Sequence, residues 1–432
     1  MSRITDLKTY DFRFPTSATL SGSDAMNPDP DYSSAYLELH TDAGEVGVGF
    51  VFSIGRGNDI IVKAIDTLAE RFLGKEIEPY LENMGSAWKE LVYDSQIRWL
   101  GPEKGVAHMA IGAILSAFWD LKAKRANKPL WLLLAEMEPE ELVETLDFRY
   151  LSDALTPEEA LEILRQGQEG KETRIQQLLE EGYPGYSTAA GWLGYSDEKM
   201  LSLAKRETEE MGFSLIKLKV GQNLDDDLRR LSLVRKAIDP SVELAVDANQ
   251  VWDVPEAIEW INKFHEFDLT WVEEPTSPDD VLGHATIAKA IAPIPVATGE
   301  QMQSRILYKQ FLQAEAFGVM QVDAARVAGP QELIVQYLLA KKFDTPVCPH
   351  AGGVGLCEAV QHFAMFDFVA ISGTRENRMI EYVDNQHEHF IDPVVIKNGN
   401  YVAPRSPGNS CQMKLEAVKQ YEFSGQKGDG NV

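Results

Sequence analysis

Lys217, Lys219, Asp247, Glu273, Glu300, Asp323, His350 and Glu381 each close a short β-branched run, and from Lys219 to His350 the successive separations are 28, 26, 27, 23 and 27 residues. That interval is one strand plus one returning helix. If the strands are parallel and close into a barrel, every one delivers a charged or titratable group to the same rim. Asp247, Glu273 and Glu300 come from three neighbouring runs, and three carboxylates converging in a partly buried site cannot all stay ionised without a cation. Oxygen-only ligation favours Mg²⁺, with about three positions left for water or for a substrate chelating through a carboxylate and a neighbouring hydroxyl. Each acid alone could instead cap a helix, as in Asp247-Ala248-Asn249 or Glu273-Glu274-Pro275. Three in register favour the metal.

Lys217 and Lys219 are two apart on one run, so both point to one face of a strand. The flanking Leu215, Ile216, Leu218 and Val220 mark that strand as buried. Mutual repulsion in such a pair lowers both pKa values and leaves one amine as a candidate neutral base. Asp323 and His350 close adjacent runs, where a carboxylate can fix the imidazole tautomer and raise its pKa. In a ring of eight, the second and seventh strands face one another, which sets Lys219 opposite His350. The other seven histidines fall outside the series.

The elements that must position these groups follow from the patterning. YSTAAG, LIKLKV, VELAVDAN, LTWVEEP, IPVATGE, FGVMQVDAA, TPVCPHAGG and RMIEYVD alternate with amphipathic helices, which predicts an α/β fold with a (β/α)8-type barrel across about 136–395. Ahead of it, residues 1–135 read as an α+β capping domain. It has an antiparallel meander, a long Ser/Gly/Pro/Asp loop at about 15–35 and a helix over 103–125 in which Val106, Met109, Ala110, Ala113, Ala117 and Leu121 recur at helical spacing. A helical insertion at about 151–185 opens with the capping box Thr156-Pro157-Glu158-Glu159 and could serve subunit contact in a homo-oligomer. Residues 396–432 are expected to pack back on the capping domain. Cys348-Pro349-His350 with Cys357 lacks a fourth zinc ligand. Ser196-x-x-Lys199 reads as a helix N-cap.

The 432 residues carry 41 Lys+Arg against 67 Asp+Glu, a formal charge of -26. Such a surface repels phosphate backbones and anionic lipid, so nucleic-acid and membrane partners are disfavoured. No stretch reads as a bilayer span. Three cysteines are too few and odd in number for a disulfide framework, and the start has no apolar signal region, so a cytoplasmic location is expected.

Together the Lys217-x-Lys219 pair, the Asp247/Glu273/Glu300 triad, the Asp323 and His350 dyad and the phrase AFWDLKAKRANKPLWLLL resemble the enolase superfamily in its mandelate racemase-like branch. Within that branch DAMNPDPDYSSAY, RWLGPEKGVAH, VEEPTSPDDVLGHATIAKA and CPHAGGVGLCE are similar to the L-fuconate dehydratases. The resemblance implies Mg²⁺-dependent dehydration of a sugar acid, L-fuconate to 2-keto-3-deoxy-L-fuconate. Lys219 would remove the proton alpha to the carboxylate, Mg²⁺ and Lys217 would stabilise the ene-diolate, and His350 would help the 3-hydroxyl leave. It also implies Gly22, Ser23, Asp24, Tyr32, Lys217, Asn249 and Glu381 as sugar contacts. The alternatives are a racemase or epimerase, a dehydratase of another acid sugar, or a non-catalytic sugar-acid binder.

Overall fold

The chain opens with an antiparallel meander, Ile4–Arg13, Ser33–Thr41 and Val46–Ser53. The computed structural model describes residues 2–423. The helix Gly105–Arg125 lies directly on this sheet. Glycines in VGVG permit the approach, since a Cβ on Gly49 would stand 1.9 Å from the carbonyl oxygen of Ala113. This helix is long and apolar enough to cross a bilayer, yet 78% of its apolar window is buried inside the protein. It is the core helix of the capping domain, and it also reaches the barrel. The Ala328 N–H donates to His108 Nε2 at 3.0 Å, and Trp119 Nε1 donates to Gln331 Oε1 at 2.9 Å.

The barrel strands are Tyr183–Ser187, Leu215–Lys219, Glu243–Asp247, Val272–Glu273, Val296–Thr298, Val319–Met320, a seventh reduced to a bridge at Val347, and Ile380–Tyr382. The first six pair in parallel in order, the sixth bridges Val347, the Glu381 N–H donates to the Pro349 carbonyl at 3.2 Å, and the eighth pairs in parallel with the first through Ile380 and Gly185. The first strand begins earlier than YSTAAG suggests. Ala189–Gly191 turns as a 3-10 helix beyond its end.

Alternation along each strand turns the barrel's lower apolar layer into its chemistry. Tyr186, Leu215, Ala245, Trp271, Ala297, Val319 and Cys348 pack together in the interior, with Met379 against them. Two residues further along, the same inward face carries Lys217, Asp247, Glu273, Gln321, His350 and Glu381. Cys348 therefore belongs to the layer below His350, and its thiol faces the carbonyl of Asn377. All three cysteines are free and buried.

The 151–185 insertion forms helices Pro157–Gln166 and Lys171–Glu181, the first with its complete capping box at Thr156 and Glu159. They pack on the helix Pro330–Lys342 and on the π-turn Asp367–Ser372, where Arg174 donates to the carbonyl of Val369. Within the chain the insertion forms an outer wall of the barrel. From 396 the chain adds a hairpin, Ile396–Lys397 and Asn400–Tyr401, to the first barrel strand and then crosses to the capping domain. There Asn409 bonds Asp120 and the carbonyl of Val48, and Leu415–Tyr421 lies on the first strand. The expected tail residues 424–432 lie outside the described residues.

Candidate active site

A cavity of about 1110 Å³ opens between the barrel's carboxyl end and the 15–35 loop, with Lys219, Asn249, Glu300, Asp323 and His350 on its floor. Glu300 meets Asp247 and Glu273 below the floor, and ligand oxygens of the three lie within 4.8 Å of one another. None of the three caps a helix. Asp247 instead accepts the N–H of Asn249 at 2.9 Å, in a turn where Asn249 is left-handed.

Charge decides what this cluster needs. Burial, together with the neighbouring charges of Asp247, Glu381 and Glu300, outweighs Lys217 and pushes the Glu273 carboxyl up to about 8. Glu300 is also raised, burial leading. Its buried Oε2 has no hydrogen-bond partner, although His350 Nε2 stands 3.4 Å away. A divalent cation would neutralise these oxygens together, so the donor set fits Mg²⁺, with three carboxylates supplying hard ligands.

The lysines depart from the expectation of mutual depression. Lys219 Nζ donates to Asp247 Oδ2 at 2.6 Å, while Lys217 bonds Glu273 and stands 3.0 Å from Glu381 Oε1. Burial disfavours charge on both amines, but the facing carboxylates outweigh it and hold both pKa values above that of ordinary lysine. The carboxylates outnumber the amines here, a balance invisible in a strand read alone. Charge taken up by a cation on Asp247 would remove the main force keeping Lys219 protonated.

On the opposite side, His350 Nδ1 lies 2.7 Å from Asp323 Oδ2. Burial opposes its protonation, but Glu300, the Asp323 hydrogen bond and Glu381 outweigh that and push the imidazole up to about 9. The other Asp323 oxygen accepts the N–H groups of Ala325 and Arg326 at 2.7 and 2.9 Å, fixing the carboxylate that orients the ring.

The lid residues divide. Gly22, Asp24, Tyr32 and Asn249 line the cavity. Asp24 has Oδ1 occupied by the N–H groups of Met26 and Asn27, and burial raises its pKa. Ser23, expected to meet sugar, is instead buried and clasps the lid by donating to the carbonyl of Leu193. Lys217 and Glu381, also expected at the sugar, lie under the floor at 0% and 1% exposure. Glu381 accepts from Thr188 and from the N–H of Ala351, so both residues hold neighbours in place. Sequence reasoning missed Trp271 and Gln321, which donate to Glu273 Oε2 at 3.0 and 2.7 Å. Their inward position two residues before Glu273 and Asp323 is the signal that could have found them.

Residues 25–135 match the mandelate racemase / muconate lactonizing enzyme N-terminal domain, and residues 199–418 match the enolase C-terminal domain-like family. The chain belongs to the enolase superfamily. Among superfamily relatives, human mitochondrial enolase superfamily member 1 is 49% identical over 100% of this chain and 97% of its own length. The crystal structure of that human protein superposes with a TM-score of 0.96 over 98% of this chain and 96% of the other. L-galactonate dehydratase of Hypocrea jecorina is 47% identical over 98% of this chain and 95% of its own. L-talarate dehydratase from Polaromonas sp. JS666, solved with Mg and L-glucarate, has a TM-score of 0.73 at 25% identity over 98% of each chain.

Proposed function

We propose that this chain is a Mg²⁺-dependent hydro-lyase that dehydrates a six-carbon sugar acid. The observation that carries the reading is that Lys219 and the His350–Asp323 pair open onto one cavity directly above a convergent carboxylate triad. Asp247, Glu273 and Glu300 would hold the ion, and bound there it supplies positive charge opposite the carboxylate of the substrate. Lys219 takes the proton from the carbon alpha to that carboxylate. His350 gives a proton to the 3-hydroxyl, which departs as water, and the remaining enol tautomerises to a 2-keto-3-deoxy acid. The Trp271, Gln321 and Thr188 hydrogen bonds hold Glu273 and Glu381 so that the floor does not move during these transfers. Asp323, Glu300 and Glu381 around His350 favour the imidazolium, an acid, which supports dehydration over racemisation.

L-fuconate is the substrate we favour. Phe52, Ile54 and Ile61 on the cavity wall suit a terminal methyl group. L-galactonate, the substrate named for one relative, differs by one hydroxyl. An apolar wall discriminates against an added hydroxyl by only about 100-fold, so turnover of both is expected, L-fuconate faster. The three buried, unpaired thiols suit a reducing compartment such as the cytoplasm. The deciding experiment incubates the protein and Mg²⁺ with L-fuconate, L-galactonate and other six-carbon acid sugars. Loss of one water with formation of a ketone supports the reading; inversion alone, or binding without turnover, overturns it.

A further inference from the structure

Arg326 follows Asp323 by three residues at the end of the sixth barrel strand, lines the cavity and is half-buried. Among the described residues no carboxylate lies within ion-pair distance of its guanidinium. Its side-chain contacts are to a backbone carbonyl, an amide oxygen and a thioether, all neutral, and the carbonyl belongs to Glu300. Its Nε donates to the backbone carbonyl of Glu300 at 3.3 Å, and its terminal nitrogens meet Gln301 Oε1 and, at 3.5 Å, Met109 Sδ. Among the described residues this is the only donor to the Glu300 carbonyl. Its own backbone N–H donates to Asp323 Oδ1, while Asp323 Oδ2 holds His350. Met109 belongs to the long capping-domain helix, which the Ala328–His108 bond fastens to the same loop.

A planar guanidinium can meet three acceptors in fixed directions, which an ammonium cannot. Leaving a half-buried guanidinium without a counter-charge costs stability, and the cost is offset here only by neutral acceptors. That arrangement makes sense where the geometry of those acceptors matters. The Glu300 carboxylate is 3.4 Å from His350 Nε2, so a small shift of the Glu300 backbone would disturb the triad and the dyad together.

We propose that Arg326 is a positioning residue, tying the fifth-strand end that carries Glu300 to the sixth-strand end that carries Asp323 and to the capping domain. The catalytic part of this inference rests on the dehydratase reading; the metal part does not. The test compares Arg326→Met and Arg326→Lys with the unaltered protein by calorimetric titration with Mg²⁺ alone, by thermal melting, and by kcat and KM on the sugar acid that turns over. Arg326→Met is expected to weaken Mg²⁺ binding by about tenfold or more and to lower kcat more than it raises KM. Arg326→Lys is expected to recover part of both, since its amine can reach one of the three acceptors. Mg²⁺ affinity within about twofold of the unaltered protein in Arg326→Met overturns the proposal, even if the melting temperature falls. If Arg326→Met does not fold, Arg326→Lys decides by the same titration, and unchanged affinity there overturns the proposal. Should no sugar acid react, the dehydratase reading fails while the titration still judges Arg326.

Discussion

Lys219 Nζ and Asp247 Oδ2 are 2.6 Å apart, so the amine placed to take a proton shares a hydrogen bond with a carboxylate placed to hold a cation. Lys219→Ala removes the base and also frees that carboxylate. Turnover is expected to fall by about 100-fold or more, the usual span of a lost general base. Mg²⁺ affinity, read by calorimetry, is expected to stay level or rise, because Asp247 loses a competing positive neighbour. Weaker metal binding in this variant would contradict the shared role.

Asp323 spends one oxygen on two backbone N–H groups and the other on His350 Nδ1. Asp323→Asn keeps the shape but withdraws the negative charge that holds the imidazole tautomer. A loss of turnover of about 10- to 100-fold is expected, with Mg²⁺ affinity nearly unchanged since Asp323 is no ligand. Full activity in the variant would remove Asp323 from the acid/base pair.

Gly352 lies so close to His350 that a Cβ on it would stand 2.8 Å from Nε2 and 3.6 Å from Glu381 Oε2. Its N–H already points at Nε2 from 3.2 Å. Gly352→Ala must push the ring aside, and a misplacement near 1 Å costs about 100-fold in rate. Melting temperature should change little, because the residue sits at the cavity and not in the core. A variant with native kinetics would show that the imidazole does not need this position.

The rim of charged groups could be read from the chain because parallel strands fix a period, so Lys219, Asp247, Glu273, Glu300, Asp323 and His350 announce themselves by interval. What supports them has no interval. Trp271 and Gln321 look like ordinary strand residues until the inward face is known, and Arg326 acts through a carbonyl that sequence does not display. Lys217 and Glu381 share the inward level of Asp247, Glu273 and His350, but their bonds to Glu273, Thr188 and Ala351 hold them under the cavity floor, and those contacts have no signature in the spacing. The seventh strand shrinks to a bridge at Val347 because tertiary closure, not local propensity, holds it. The membership of Gly105–Arg125 in the core likewise depends on what covers it.

His387 offers a pH test away from the cavity. Its Nδ1 lies 2.7 Å from Glu358 Oε1 and its Nε2 2.7 Å from the carbonyl of Val383, an arrangement that wants both nitrogens protonated. Burial opposes the charge, but Glu358 and the Val383 carbonyl outweigh it and push the pKa from 6.5 up to about 9. A raised folded-state pKa stabilises fully below the unfolded value and is lost as pH rises through the folded one. The pair should therefore contribute on the order of 3 kcal/mol at most below about pH 6.5, declining to nothing above about pH 9. Denaturant unfolding of His387→Gln against the unaltered protein at about pH 6 and about pH 10 reads this directly. The stability gap is expected to narrow at the higher pH, and a gap equal at both would mean that His387 is held neutral in the folded chain.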